Sequence, residues 1–507
     1  MGKAKRTLSE SKTKYAGSVV VTRIATIYEI EKNSVKQLEE IARKCGILRS
    51  ELWNKYGSLK SWGINKFQIE KEFRVTHPPE KYGLTSKLYE RTLYKCVDEI
   101  HTYQDAVKAA VKDEIYRKTE SEIERRYYFF LLEKRFWIDI TTKRARWLHH
   151  TIRKHFYRGH SNVRNQIVFN VGMYSIKQDG KYSYIELATL ERGKRLVLPL
   201  RGNPEISGEI RVIIQPDKRV EIHYPKKVEK VVPEKRSKDV VGIDRGFTEV
   251  YVTSNGEFLG TDFGKVISQE VEYRVERGRK RGKLHSKAQK YEREGNHTKA
   301  DNIRKNNLGV VKLTRKKRKI EGRLKTLVFT ATLQIFLKYG TVVYEDLTEP
   351  IKDKRGLKGK AAARMSSWCK GLVADAIKEV SVRLSGQAIA VNAAFTSRLD
   401  SRYGVLLGER KADSFHCFDR VVMQSDLNAA RNILARKDDA EITRYMKFTT
   451  VKSILLRRTE QFQEIRQREI AKTLDSQNPV KPSLAGFKGE QLCLFDTDTL
   501  THSESEV

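Results

Sequence analysis

Cysteine is scarce in this chain of 507 residues, and the few cysteines form no pattern. None belongs to a CxxC pair, and no regularly spaced framework exists. A disulfide-stapled secreted scaffold is therefore excluded, and a reducing compartment is indicated. The five cysteines are Cys45, Cys96, Cys369, Cys417 and Cys493.

Long apolar runs are absent as well. The most apolar helix-like stretch, residues 324–339, is interrupted by Lys325, Gln334 and Lys338, so the sequence predicts no transmembrane helix. The basic N-terminal residues lack the apolar segment of a signal peptide. We therefore expect a cytoplasmic protein.

Acidic residues are outnumbered by basic ones. There are 100 Lys and Arg residues against 64 Asp and Glu, a net charge of +36. This surplus is too large to serve solubility alone and predicts a polyanionic partner. At about 150 residues per domain, the length predicts three or four domains.

Hydrophobic periodicity divides the N-terminal half into β and helical parts. Residues 18–33 and 161–235 carry short alternating runs typical of strands, whereas residues 34–160 carry apolar residues at helical spacing. One strand before the helices and several after them favour a β-barrel-like domain with an inserted helical domain. Two consecutive domains are the alternative. Within this half we also predict a basic flexible arm at 1–17, one strand at 167–176, buried core at 127–132 and a linker at 226–238.

From residue 239, strands and helices alternate. Three antiparallel strands followed by alternating strands and helices form the plan of an RNase H-like α/β domain, so the predicted fold class is α+β with several domains. We predict a nuclease-type domain over 239–437, a helical extension over 438–477 and a flexible acidic tail over 478–507. Its elements are a strand at 240–244, a hairpin at 248–260, basic helices at 266–339, a strand at 341–347, a helix at 361–385, a strand at 388–395, an irregular segment, and a helix at 426–436.

Three acidic residues lie where a strand ends or a helix begins: Asp244, Glu345 and Asp426. Taken one at a time, Asp244 is explained as a turn residue, Glu345 as a charge at a strand end and Asp426 as a helix N-cap. Together, the order strand-Asp, strand-Glu, helix-Asp favours a shared catalytic and metal-binding site. Carboxylates suit two Mg²⁺ ions that cleave a phosphodiester, and Mn²⁺ is an expected substitute.

The segments around these acids read VGIDRG, VYEDL and SDLNAARNIL. They resemble the three RuvC motifs of the TnpB nucleases and the related type V CRISPR effectors, over residues 239–437. In that family the three motif acids bind the catalytic metals, and here Asp244, Glu345 and Asp426 occupy those positions. The resemblance implies a compact, active member of prokaryotic or phage origin.

The resemblance further implies a guide RNA that pairs with one strand of double-stranded target DNA, and cleavage of both strands by one site. The regions before residue 239 are similar in order to the family's wedge and recognition domains. The flanking duplex motif, the origin of the guide and the oligomeric state are not indicated.

One departure concerns the zinc ribbon that the family usually carries between its second and third motifs. Residues 396–421 contain TSRLDSRYG and FHCFDRV instead. The metal-ligand positions are occupied by Asp400, Tyr403, Cys417 and Arg420. Because a structural zinc needs about four N or S ligands, we expect no zinc, and a segment held by packing and ion pairs.

Basic residues are concentrated between Arg274 and Lys325, a stretch that contains twenty Lys and Arg but five Asp and Glu. Such an excess repels itself unless phosphates neutralise it, so we predict a nucleic-acid-facing pair of helices; a solvated helix face is the alternative. The predicted contacts are Arg279, Lys280, Arg281, Lys283, Arg315, Lys316, Lys317 and Arg318. In the helical domain, Arg144, Arg146 and Trp147 are candidate contacts to an RNA–DNA duplex.

The sequence thus favours an RNA-guided DNA endonuclease. One alternative is an RNA-guided protein that binds DNA without cutting, which would be indicated by a missing carboxylate. Another is an RNase H-fold nuclease or transposase that works without RNA.

Overall fold

The computed structural model describes residues 17–477 apart from 28, 158, 235 and 348–369. The chain divides into two units, Met1–Glu229 and Lys230–Val507. Most of the predicted arm, the start of the predicted helix at 361–385 and the predicted acidic tail lie outside the described residues. None of the described helices combines the length and the low polarity needed to cross a membrane.

The first unit consists of strands on both sides of a helical segment. Strand β1 (Ser18–Thr26) comes first. Six helices follow: α1 (Lys32–Tyr56), α2 (Lys66–Thr76), α3 (Pro79–Tyr82), α4 (Ser86–Lys118), α5 (Glu122–Glu133) and α6 (Lys143–His155). The remaining strands are β2 (Gln166–Phe169), β3 (Tyr174–Asp179), β4 (Tyr182–Ala188), β5 (Arg195–Leu200), β6 (Ile210–Ile214) and β7 (Val220–Glu229).

These strands form a four-stranded sheet in the order β1-β7-β6-β2 and a three-stranded sheet in the order β3-β4-β5. All pairs are antiparallel, and a single bridge between Ile27 and Leu200 links the two sheets. Because β1 pairs with β7, all six helices are inserted between strands of one sheet.

The prediction of one strand at 167–176 is wrong: a turn at Gly172, with φ of 87°, separates β2 from β3.

Amphipathic helices cover this β structure. In α1, apolar residues three and four positions apart are fully buried, among them Leu38, Ile41, Leu48 and Leu52, which is the stripe that a helix packed on a core requires. The prediction of buried core at 127–132 is only partly right. Leu132 is fully buried, but Phe130 is 48% exposed.

The second unit begins with β8 (Ser237–Asp244), β9 (Tyr251–Thr253) and β10 (Phe258–Leu259). Helices α7 (Phe263–Arg293), α8 (His297–Asn302) and α9 (Val310–Lys338) follow, with a π-helical turn at Ile303–Asn307. The chain continues through β11 (Tyr339–Glu345), α10 (Lys370–Arg383), β12 (Gln387–Val391), β13 (Gly408–Lys411), β14 (Ser414–Cys417), β15 (Val422–Gln424), α11 (Ser425–Arg436) and α12 (Phe448–Gln477).

Five strands of this unit form one sheet in the order β10-β9-β8-β11-β12. β8, β11 and β12 are parallel, whereas β9 and β10 are antiparallel. Successive residues of β11 point to opposite faces: Val342 packs into the core with α7, α9 and α10, and Val343 packs with Ile433 of α11. Because both faces are covered, the strands are continuous apolar runs.

Several predicted boundaries in this unit are corrected. β12 ends at Val391 rather than at 395, and the predicted linker at 226–238 is shortened because β7 and β8 occupy its two ends. The segment predicted as irregular contains a second, antiparallel sheet in the order β13-β14-β15. The mixed α+β class predicted from the sequence is confirmed by these elements.

Candidate active site

Asp244 and Glu345 are the last residues of two neighbouring parallel strands, β8 and β11. In the register of this pair, Ile243 lies opposite Tyr344. Asp244 and Glu345 are the next residues of the two strands, so both lie at the same edge of the sheet. The side chain of Asp244 is buried, with 9% of the residue exposed. The carboxyl edge of parallel strands is where open α/β sheets commonly place their sites.

Asp426 reaches the same region because α11 lies directly against β8. Gly242 makes this approach possible: a Cβ atom there would lie 2.3 Å from the Ala430 carbonyl oxygen. Asp426 is in the first turn of α11, but it does not cap the helix. Gln424 does, because its side chain accepts a hydrogen bond from the Leu427 amide at 2.5 Å.

The electrostatics of Asp244 indicate how close these acids are. Burial raises the pKa of Asp244 well above its usual range, and the negative charges of Glu345 and Asp426 raise it further, while Arg410 opposes the shift. Glu249 is a fourth acid near Asp426. Burial is the main cause that raises its pKa, and the negative charge of Asp426 raises it further. The sequence analysis missed Glu249, although it lies two residues before the apolar strand β9.

Arg410 of β13 contributes a cation beside Asp426. Its Nη2 donates to Asp426 Oδ1 at 3.0 Å, and its Nε donates to the Ala412 carbonyl oxygen at 3.2 Å. Gln424 Nε2 is a weaker donor, at 3.4 Å from Asp426 Oδ2. The small sheet therefore places a guanidinium beside the acids, which no sequence motif indicated.

Glu345 is held from two directions. The Thr396 hydroxyl donates to Glu345 Oε1, and Arg245 Nη2 donates to the Glu345 backbone carbonyl at 2.7 Å. Thr396 is only 1% exposed. Both contacts were missed by the sequence analysis, because Thr396 lies 51 residues from Glu345 in the chain.

The four positions matching zinc ligands are not equivalent in space. Asp400 is fully buried and shares the Arg402 guanidinium with Asp419, at N–O distances of 2.7 to 3.0 Å. Cys417 is close by, and burial, followed by a hydrogen bond with Asp400, raises its pKa to about 11. Tyr403 packs against aromatic rings, and Arg420 is exposed.

The cluster of Asp400, Cys417 and Asp419 and the three predicted acids differ in the spacing of their donor atoms. Across the described ranges, one set of three donor atoms lies mutually within 4.8 Å: those of Asp400, Cys417 and Asp419. The two carboxylates of that set already share the Arg402 guanidinium. Asp244, Glu345 and Asp426 do not form such a set, so at least one pair of their carboxylates lies farther apart than 4.8 Å.

The predicted basic contacts lie on α7 and α9, which contact each other. Lys316 of α9 lies 5.4 Å from the ring centroid of Tyr273 in α7. Lys280 pairs with Glu276 within its own helix. The exposed members are Arg279, Lys280, Lys283, Arg315, Lys316 and Lys317, while Arg281 and Arg318 are half-buried.

In the first unit, Arg144 and Arg146 are exposed on α6, but Trp147 is half-buried. Its ring packs edge-on against Tyr128 at 5.0 Å, and Lys118 Nζ lies 4.6 Å from its centroid. Trp147 thus packs against the helical core, and Lys118 lies over its ring.

No protein-family model and no curated protein matches the chain. Among solved structures it is similar to Cas12f1 with single-guide RNA and target DNA, at 14% identity and a TM-score of 0.37, covering 84% of this chain and 100% of that chain. It is also similar to CasPhi-2 (Cas12j) bound to crRNA, at 10% identity and a TM-score of 0.41, covering 82% and 98% of the two chains.

A third similar structure is C2c1 of Alicyclobacillus acidoterrestris with single-guide RNA, at 8% identity and a TM-score of 0.39, covering 83% of this chain and 89% of that chain. All of these TM-scores lie below 0.5. The similarity is therefore too low to assign a fold or an activity to this chain.

Proposed function

We propose that the protein is an RNA-guided DNA endonuclease whose catalytic residues are Asp244, Glu345 and Asp426. The observation that supports this most is geometric: Asp244 and Glu345 end two neighbouring parallel strands, and α11, which carries Asp426, packs against the first of them. Buried acids that repel one another destabilise a fold. Their presence at one sheet edge is typical of a functional site.

The order of elements supports an RNase H-like (RuvC) nuclease domain within the second unit. Three strands pair antiparallel, two further strands extend the sheet in parallel with β8, and α11 covers one face. This matches the plan expected from the sequence. The three motifs that resemble those of TnpB and type V CRISPR effectors fall on β8, β11 and α11.

The donor set fits divalent cations such as Mg²⁺ or Mn²⁺. All three side chains are carboxylates, which hard cations prefer, and a nearby cation would counter the raised pKa of Asp244. When bound, such ions would activate water and stabilise the leaving oxygen of a phosphodiester.

Other residues would assist without holding the ions. Thr396 and Arg245 orient Glu345 through its carboxylate and its backbone carbonyl. Arg410 partly neutralises Asp426 and offers a guanidinium, whose fork geometry suits a phosphate oxygen. We place no zinc at positions 400, 403, 417 and 420, because Arg402 engages the Asp400 carboxylate and because Tyr403 and Arg420 are not usual zinc ligands.

The proposed partners are a guide RNA and double-stranded target DNA. The net charge of +36 and the basic surface of α7 and α9 suit polyanions. In such an enzyme, base pairing supplies most of the sequence specificity, and the protein reads backbone shape and a short flanking motif. The first unit, with its inserted helices, is proposed to hold the guide–target duplex.

Replacing Asp244 by Asn tests the site. The variant keeps the shape of the side chain but removes its charge, so DNA cleavage should be abolished while guide RNA binding is retained. Because one repelling charge is removed, we expect the metal-free variant to melt at or above the wild-type temperature. Cleavage is measured on gels with labelled duplex, and melting by circular dichroism.

The matched control is Asp239→Asn, at the exposed start of the same strand, which should cut normally. Wild-type cleavage by the Asp244→Asn variant would refute the site assignment. A nuclease that works without RNA is distinguished by purifying the protein: a guided enzyme carries a defined RNA that raises the ratio of absorbance at 260 to 280 nm and that ribonuclease removes.

A further inference from the structure

Two buried asparagines of α11 hold the segment that follows β12. Asn432 Nδ2 donates to the backbone carbonyls of Thr396 and Leu399, both at 2.8 Å. Asn428 Nδ2 donates to the Leu399 carbonyl at 2.7 Å, and its Oδ1 accepts from the Ser401 amide at 2.9 Å. Both side chains are buried, so these bonds fix residues 396–401 against the helix that carries Asp426.

The same segment reaches the second strand acid. The Thr396 hydroxyl has one proton and two acceptors within reach, Glu345 Oε1 and the Ala393 carbonyl at 3.0 Å. Glu345 Oε1 is the closer of the two acceptors, so the proton is directed to Glu345. Thr396 is 1% exposed, which leaves little water to compete.

We infer that Thr396 is a positioning residue for Glu345, and that Asn432 positions Thr396. This chain of contacts couples α11, with Asp426, to the carboxylate at the end of β11. A Glu side chain has several rotamers, and ordering it costs conformational entropy. A buried hydroxyl bonded to one oxygen orders it before substrate arrives. The inference rests on the proposed function, since it assigns Glu345 a role in holding divalent ions.

Thr396→Val is the direct test, because valine has nearly the same shape but no hydroxyl. Contacts of this kind to metal ligands are typically worth about 10–100-fold in metal affinity or activity. We expect a 10–100-fold lower cleavage rate, with binding of guide RNA and target DNA unchanged. Thr396→Ser keeps the donor and should restore the rate to within about threefold of wild type.

Ion binding supplies a readout that does not depend on cleavage. Titration of the purified protein with MnCl₂, followed by calorimetry and by the melting temperature, should show weaker binding for Thr396→Val than for Thr396→Ser. The melting temperature reports this because a ligand stabilises the folded protein more when it binds more tightly. Asn432→Ala should weaken binding in the same direction. The double variant should be no worse than the more affected single variant, because the two residues act in series.

Thr332→Val is the matched control. Thr332 is equally buried in the second unit, and its hydroxyl bonds to Val328 and Tyr251 rather than to a site acid. It should lose stability without losing ion affinity or rate. If wild-type protein neither binds Mn²⁺ nor cuts DNA, the proposed function fails. If wild type does both and Thr396→Val equals it, this inference alone is overturned.

Discussion

A single methyl group added to Gly242 should separate two of the site's acids. In a Gly242→Ala variant, the new Cβ would lie 2.3 Å from the Ala430 carbonyl oxygen and 2.8 Å from Leu434 Cβ. Ordinary contact begins near 3.4 Å, and the closest atom belongs to the backbone. Because backbone cannot rotate away, α11 must move outward by about 1 Å, and Asp426 moves with it.

The expected cost has two parts. Overpacking of this kind destabilises a protein by about 1–3 kcal/mol, which thermal melting can measure. Misplacement of a catalytic group by about 1 Å costs roughly 100-fold in rate. Single-turnover cleavage, with saturating guide RNA and Mg²⁺, should therefore fall about 100-fold at a temperature where the variant is still folded.

The control is Gly322→Ala in α9, where no atom lies within 4 Å of the new Cβ. An alanine in a helix interior should stabilise the protein by about 0.5–1 kcal/mol, and cleavage should not fall 100-fold. A Gly242→Ala variant with the wild-type melting temperature and cleavage rate would refute the close packing of α11 on β8.

Two further variants test features outside the acid cluster. Arg402→Gln removes the guanidinium shared by Asp400 and Asp419, so unfolding free energy should fall by about 1–3 kcal/mol; an unchanged urea midpoint would contradict a structural role for this cluster. Replacing both Arg315 and Lys316 by Gln should reduce the slope of log affinity for duplex DNA against log salt by about 1 for each phosphate that is no longer neutralised. The control for this double variant is Lys177→Gln, on β3 of the first unit. Equal salt slopes for the control and the double variant would count against phosphate binding by α9.

The main sheet of the second unit could be predicted from local patterns, because its strands are apolar runs bounded by turn residues. The sheet of β13, β14 and β15 could not. Its first turn places Ala412 at φ of 51°, a conformation for which Gly or Asn is the usual signal. The strands are also only three or four residues long, so alternation has too little length to be recognised.

The three acids could be predicted because each follows a recognisable local pattern and their order resembles a known set of motifs. The residues that act on them could not. Arg410 and Thr396 reach the acids only through packing between distant segments, and nothing in their neighbouring sequence indicates that they contact an acid. Sequence periodicity reports which face of an element is buried, and it does not report which polar group lies opposite.

The pairing of β1 with β7 has a consequence for synthesis of the protein. Ser18 lies opposite Glu229, so the first strand leaves the ribosome about 200 residues before its partner. At translation rates of roughly 5–20 residues per second, that delay is about 10–40 s. During this time a valine-rich strand has no neighbour in its own sheet, and other nascent chains compete for its edge.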